Sequence, residues 1–182
     1  MTKQDELRVA YSTFAGAKDL EGKLAALFRR VQPVMFAAES AREVEAALSR
    51  LTPGQRAAWA VEQLQLEMGN GGIDQYFYNS AGDTAPEALE GLRLIDAPKF
   101  ARPLEQAMKL FPGGQVPRDR DARELLLDEQ DLSEALIESG VDEAWQDAYA
   151  VEEELSKLLL EWVERNPGDF FFDKDQGPPA GR

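Results

Sequence analysis

Among its 182 residues the chain has no cysteine and no histidine. The missing thiols exclude disulfides and thiolate nucleophiles. The missing imidazoles exclude Ser-His triads, the common zinc ligand sets and the usual proton shuttle near neutral pH. Acid–base chemistry would fall to a carboxylate of raised pKa, a lysine or a tyrosine. Long apolar runs are also missing, so no transmembrane helix is expected. The opening MTKQDELRVAYSTFAGAK lacks the apolar region of a secretory signal. A soluble, cytoplasmic protein is the expectation. No stretch shows convincing strand alternation, and there is neither an internal repeat nor a low-complexity block.

What remains reads as helix. Hydrophobic residues at 43% and aromatics at 9% suffice for a core in a chain of this length, which implies one domain. Leu20, Leu24, Leu27, Phe28 and Val31 recur at helical spacing, as do Val44, Leu48 and Leu51 behind a Ser40 N-cap. Thr52, Pro53 and Gln55 form a capping-box pattern, opening a helix with Trp59, Leu64, Leu66 and Met68 that Gly69 could end in the left-handed conformation. Thr84 reads as another N-cap, Pro103 as a break or first turn, and PGGQVP at 112–117 as the clearest loop. A long helix is expected from Asp142 to Arg165, stopped by Asn166-Pro167-Gly168. The DFFFD that follows should fold back onto the core. The predicted fold is all-α, a single compact helical domain of about seven to nine helices over residues 1–172, with a flexible tail at 173–182.

The charge is negative and regional. The net −14 divides into −1 over residues 1–118, −12 over residues 119–165 and −1 thereafter. Such a field repels nucleic acid and membrane surfaces and attracts basic ones.

The densest stretch is EMGNGGIDQYFYNSAGD, residues 67–83. Gly69, Asn70, Gly71 and Gly72 offer positive-φ positions for a sharp reversal. Ile73, Tyr76 and Phe77 share one face of a short helix, which Asn79, Ser80 and Gly82 end. Glu67, Asn70, Gln75 and Asn79 could bond one another or the backbone of the turn. The structural reading is a tight helix–turn–helix corner. The functional alternative is an anion nest, opposed by Glu67, Asp74 and the absence of a nearby lysine.

Glu67, Asn70-Gly71-Gly72, Gln75-Tyr76-Phe77, Asn79 and Gly82, together with EELSKLLLEWVERNPGDFF near the end, resemble a bacterial DNA-mimic family whose domain was first catalogued as one of unknown function. The resemblance covers about residues 45–172, and departs from the family where Ile73 stands in place of an aromatic. It implies an all-helical, dimeric, acidic protein without enzyme activity that occupies the DNA-binding face of a helix-turn-helix repressor.

The acids themselves could imitate phosphates, which B-DNA presents about every 3.4 Å along each strand. Charge density selects Asp121, Glu124, Asp128, Glu129, Asp131, Glu134, Glu138, Asp142 and Glu143 as partner-binding carboxylates. Were residues 119–138 one helix, at about 1.5 Å per residue they would present a carboxylate roughly every 4 Å, with Arg120 and Arg123 cancelling two. Asp147, Glu152, Glu153, Glu154, Glu161 and Glu164 could add a second row. Asp173-x-Asp175 resembles a calcium-loop opening, but Pro178 stands where the glycine belongs, so no metal site is assigned. No cofactor and no catalytic residue is assigned either. The leading expectation is a non-enzymatic acidic interaction protein, a homodimer that mimics DNA toward a basic DNA-binding protein and binds no nucleic acid or membrane itself. The alternatives are an enzyme or small-ligand binder using Glu67, Asn70, Gln75 and Asn79, and an immunity or assembly factor whose partner has no relation to DNA.

Overall fold

The computed structural model describes residues 5–129, 131–149 and 154–173. The expected tail lies outside them from residue 174 onward. The regular structure of the described residues is helical, save one parallel bridge between Val9 and Phe171. There are thirteen α-helical segments rather than seven to nine: α1 Tyr11–Ala15, α2 Leu20–Phe28, α3 Gln32–Phe36, α4 Ala41–Arg50, α5 Pro53–Asn70, α6 Gly72–Tyr78, α7 Ala85–Leu94, α8 Pro98–Met108, α9 Arg120–Glu129, α10 Leu132–Glu138, α11 Val141–Ala148, α12 Glu154–Arg165 and α13 Pro167–Phe170. Several are single turns, too short for a hydrophobic period to reveal.

Helix α5 is the axis of the fold. Its first turn is closed by the expected capping box: the Thr52 hydroxyl accepts from Gln55 N–H at 3.1 Å, and Gln55 Oε1 accepts from Thr52 N–H at 3.0 Å. The same residues reach both ends of the chain. Gln55 Nε2 donates to Leu7 O at 2.9 Å, and the Thr52 hydroxyl donates to Asp169 O at 2.9 Å. Helix α7 lies close along α5, because Gly91 presents bare backbone: a Cβ there would stand 2.7 Å from Ala57 O. Helix α12 crosses α5, where Gln65 Nε2 donates to Ser156 Oγ at 2.8 Å. Phe170 and Phe171 fold back and are buried, while Phe172 is half exposed.

Four local expectations are corrected. Gly69 does not end α5, which runs one residue further; the left-handed residue is Gly72, at φ +81°. Thr84 precedes α7 without capping it, since its hydroxyl donates back to Ala81 O at 3.1 Å. Pro103 sits inside α8, where the buried face of Phe100, Ala101, Leu104 and Ala107 outweighs one lost backbone bond. The helix expected over 142–165 is two segments: α11 ends at Ala148 and packs on α8, with Phe100 and Trp145 edge to face at 4.9 Å, whereas α12 packs on α5 and α2.

Candidate functional site

Helices α5 and α6 meet at the glycine corner, and its polar groups are turned on one another. Glu67 Oε2 accepts from Gln75 Nε2 at 2.7 Å and from Asn79 Nδ2 at 2.9 Å, while Asn70 stands exposed outside this triplet. Gly71 keeps a negative φ of −158° and accompanies Gly72 through the reversal. The N–H of Ile73 then donates to Asp142 Oδ1 at 2.8 Å. An anion does sit at this turn, and it belongs to the chain itself. Asp142 is therefore half buried and engaged internally, unlike the solvent-facing carboxylate expected there. Ile73, Tyr76 and Phe77 form the buried face of α6 as their spacing predicts. Burial pushes the Tyr76 hydroxyl far above its ordinary pKa, and its oxygen has no hydrogen-bond partner among the described residues.

The side chain that organises the corner is Arg123, which charge counting treats as a surface cation. Its guanidinium is wholly buried, and all five of its N–H groups are used. Nε donates to Phe77 O at 2.8 Å; Nη1 donates to Pro117 O at 2.9 Å and Arg118 O at 3.0 Å; Nη2 donates to Asn79 O at 2.9 Å and to Asp83 Oδ1 at 2.6 Å. Two of these acceptors are carbonyls at the C-terminus of α6, Phe77 O beyond the reach of its own helix's donors and Asn79 O shared with the N–H of Gly82 at 3.1 Å. Gly82 makes room, since a Cβ there would lie 2.9 Å from Arg123 Nε. Burial raises the Asp83 carboxyl against the pull of Arg123. Nearby, Arg118 binds both carboxylate oxygens of Glu87, at 3.2 and 2.8 Å. The corner thus anchors the start of α9, and with it the acidic segment.

That segment is three short helices rather than one rod. Asp131 at φ 52° separates α9 from α10, and Gly140 at φ 72° separates α10 from α11. Each helix buries residues about four apart: Arg123 and Leu127, then Leu132 and Leu136, then Val141, Trp145 and Ala148. The opposite faces carry the charge. Asp121, Asp128, Asp131, Glu134, Glu138 and Glu143 are exposed, as are Asp119 and Asp147. Glu124 is half buried and pairs with Arg120 at 2.7 Å, the one ion pair to an acid of 119–149 among the described residues. The side chain of Glu129 lies outside the described residues, as do Glu152 and Glu153. Leu125 and Ile137 stand exposed among these acids. Lys99 and Arg102 border the acidic surface where they share a recess with Asp147.

The corner and the acidic helices fall inside one matched region, because the sequence profile of the DMP19-like protein family matches residues 49–166. The chain belongs to that family. No curated protein and no solved structure gives a match. The DMP19-like region begins in α4, ends one residue past α12, and so includes α5, the N-G-G corner and all three acidic helices. It leaves out the N-terminal helices and α13; from these flanks Leu7 and Asp169 bond to the first turn of α5. No described helix of this DMP19-like chain is long and apolar enough to cross a membrane.

Proposed function

We propose that this chain is a non-enzymatic interaction protein of the cytoplasm that acts as a DNA mimic, as its DMP19-like membership suggests. Its acidic face would occupy the DNA-binding face of a basic protein of the helix-turn-helix kind. The observation that carries the reading is the sorting of charge across α9–α11. The cations of this stretch are withdrawn, Arg123 into the core and Arg120 onto Glu124, while carboxylates at 121, 128, 131, 134, 138 and 143 face outward without ion pairs among the described residues. Such a surface attracts a cationic partner over long range and speeds encounter. The breaks at Asp131 and Gly140 divide these charges among three helices. Leu125 and Ile137 add apolar contact within it.

The alternative reading around Glu67, Asn70, Gln75 and Asn79 is disfavoured by geometry. Three of these side chains satisfy one another, and Asp142 has claimed the N–H of Ile73 beside the small recess of about 230 Å³ at the turn. Self-association as a two-fold dimer belongs to the same proposal, with the acidic helices away from the interface, where two such faces would repel. Light scattering should report twice the chain mass, and a monomer at micromolar concentration would remove that part.

The functional test is a competition. Partners recovered from a lysate of the source cells on the immobilised protein, and released by salt, are identified by mass. The recovered DNA-binding protein is then bound to its operator and titrated with this chain in a mobility-shift assay. Release of free operator is the expected result. A stable assembly holding protein and DNA together at every concentration would overturn mimicry.

A further inference from the structure

A cleft of about 330 Å³ opens between α2, α5 and α12, on residues separate from the acidic helices. Its walls are Leu20, Leu24, Phe28, Trp59 and Leu66, and Glu62 projects from α5 into this lining. One oxygen of Glu62, Oε2, is buried and has no hydrogen-bond partner among the described residues. Burial pushes its carboxyl up to about 7, with no cation among the described residues holding it down. A carboxylate so placed costs stability whether it stays charged or takes a proton. Glutamine or leucine would suit the packing better, so the group is spent on something other than the fold. Among the described residues, the charged ones lining the cleft are Glu62 and Glu21, and no lysine or arginine lines it.

We propose that this cleft is a binding site for a small primary-ammonium ligand with a short apolar body. The ammonium sits on the Glu62 carboxylate and the body lies between Leu24, Phe28 and Leu66. Three features select that class. The buried oxygen calls for a donor. The two carboxylates, without a lining cation, favour a positively charged one. The volume falls at the low end of the roughly 300–1,000 Å³ typical of small-molecule sites, and the walls are apolar. The inference stands independently of the acidic face.

The probes are hexylammonium and hexanol, which share a body and differ in head. Both are titrated into ¹⁵N-labelled protein at about 0.15 M salt, which screens the exposed carboxylates. The Trp59 indole N–H reports from the cleft wall. Hexylammonium should shift that resonance saturably and bind at least about tenfold more tightly than hexanol. Glu62→Gln, which keeps the shape and relieves the buried charge, should cost hexylammonium about tenfold in affinity and leave hexanol within about twofold. Leu24→Trp, which fills the space, should abolish both. Circular dichroism establishes that each variant is folded. Equal binding of the two probes, unchanged hexylammonium affinity in Glu62→Gln, or no saturable Trp59 shift in the parent would each overturn the proposal.

Discussion

Arg123 and Asp83 are joined at 2.6 Å inside the protein, forty residues apart in sequence, the arginine fully buried and the aspartate nearly so. This contact and the bonds to Phe77 O and Asn79 O fix α9 to the end of α6, while those to Pro117 O and Arg118 O hold the approach to α9. Arg123→Met should therefore leave a buried carboxylate and four backbone acceptors without their donor, a loss of about 3–5 kcal/mol. Arg123→Lys should not rescue it, because an ammonium offers fewer donors and no planar fork. Urea unfolding checks both; a midpoint unchanged in Arg123→Met would refute the account.

Two neighbouring glycines should respond with opposite sign. Gly72→Ala forces a side chain to φ +81° with its Cβ 2.6 Å from the Asp142 carboxylate. It should cost about 1–3 kcal/mol. Gly69→Ala lies within α5 with open space around the new methyl, and should gain about 0.5–1 kcal/mol. Thermal melts of the two variants decide the matter, and a stabilised Gly72→Ala would contradict the geometry.

Glu62 gives the chain a specific pH signature. Its folded pKa of about 7 lies above the ordinary 4.5, so between those values the folded state binds more protons than the unfolded one. The contribution of Glu62 is therefore fully present at low pH and is lost as pH rises toward and through 7. Its full span is of order 3 kcal/mol at most. Glu62→Gln removes this slope, so its advantage over the parent should grow from pH 5 to pH 8 and then level off. Parallel stability curves for parent and variant would exclude it.

Reversal of exposed acids tests the proposed partner surface. Asp121, Asp128, Glu134 and Glu138 changed to Lys should abolish binding of a basic partner and leave the helical content intact. Asp131 is left out of the set, since its φ of 52° suits aspartate better than lysine. Asp142 is left out because it holds the N–H of Ile73. Reversing the exposed Glu6, Glu39, Glu45 and Glu90 instead should matter far less. Binding to the parent should weaken steeply with salt. Equal loss from both sets would show that the overall charge, not this face, is what the partner senses.

What could be read from the residues in order was whatever is settled locally. The Ser40 N-cap and the Thr52–Gln55 capping box are local devices and stand where their letters place them; Glu43 completes a second box on Ser40, beyond the N-cap that the sequence predicts. The buried face of α6 follows from the spacing of Ile73, Tyr76 and Phe77. Arg123 was illegible because its burial is decided by acceptors such as Phe77 O and Asp83, more than thirty residues away. The break after Ala148 was hidden for another reason. Val141, Trp145 and Ala148 are in phase with Leu155, Leu159 and Val163, so the period runs on across two helices with different packing partners. Asp142 was misjudged because charge density counts acids without seeing which ones a backbone N–H has claimed. Glu62 escaped notice because its meaning lies in the lack of a partner, which no local pattern of letters records.

The bridge from Val9 to Phe171, with the bonds from Thr52 and Gln55 to Asp169 and Leu7, sets an order of assembly. On the ribosome, α5 leaves early and closes its first turn with its own capping box, but the cover supplied by residues 169–171 must wait until they have followed. Contacts between such distant parts of a chain are slow to form. During that interval the apolar start of α5 is uncovered, and the strongly acidic stretch from 119 to 165 has already emerged beside it. Mutual repulsion between nascent chains would then restrain aggregation in the very period when the core is open.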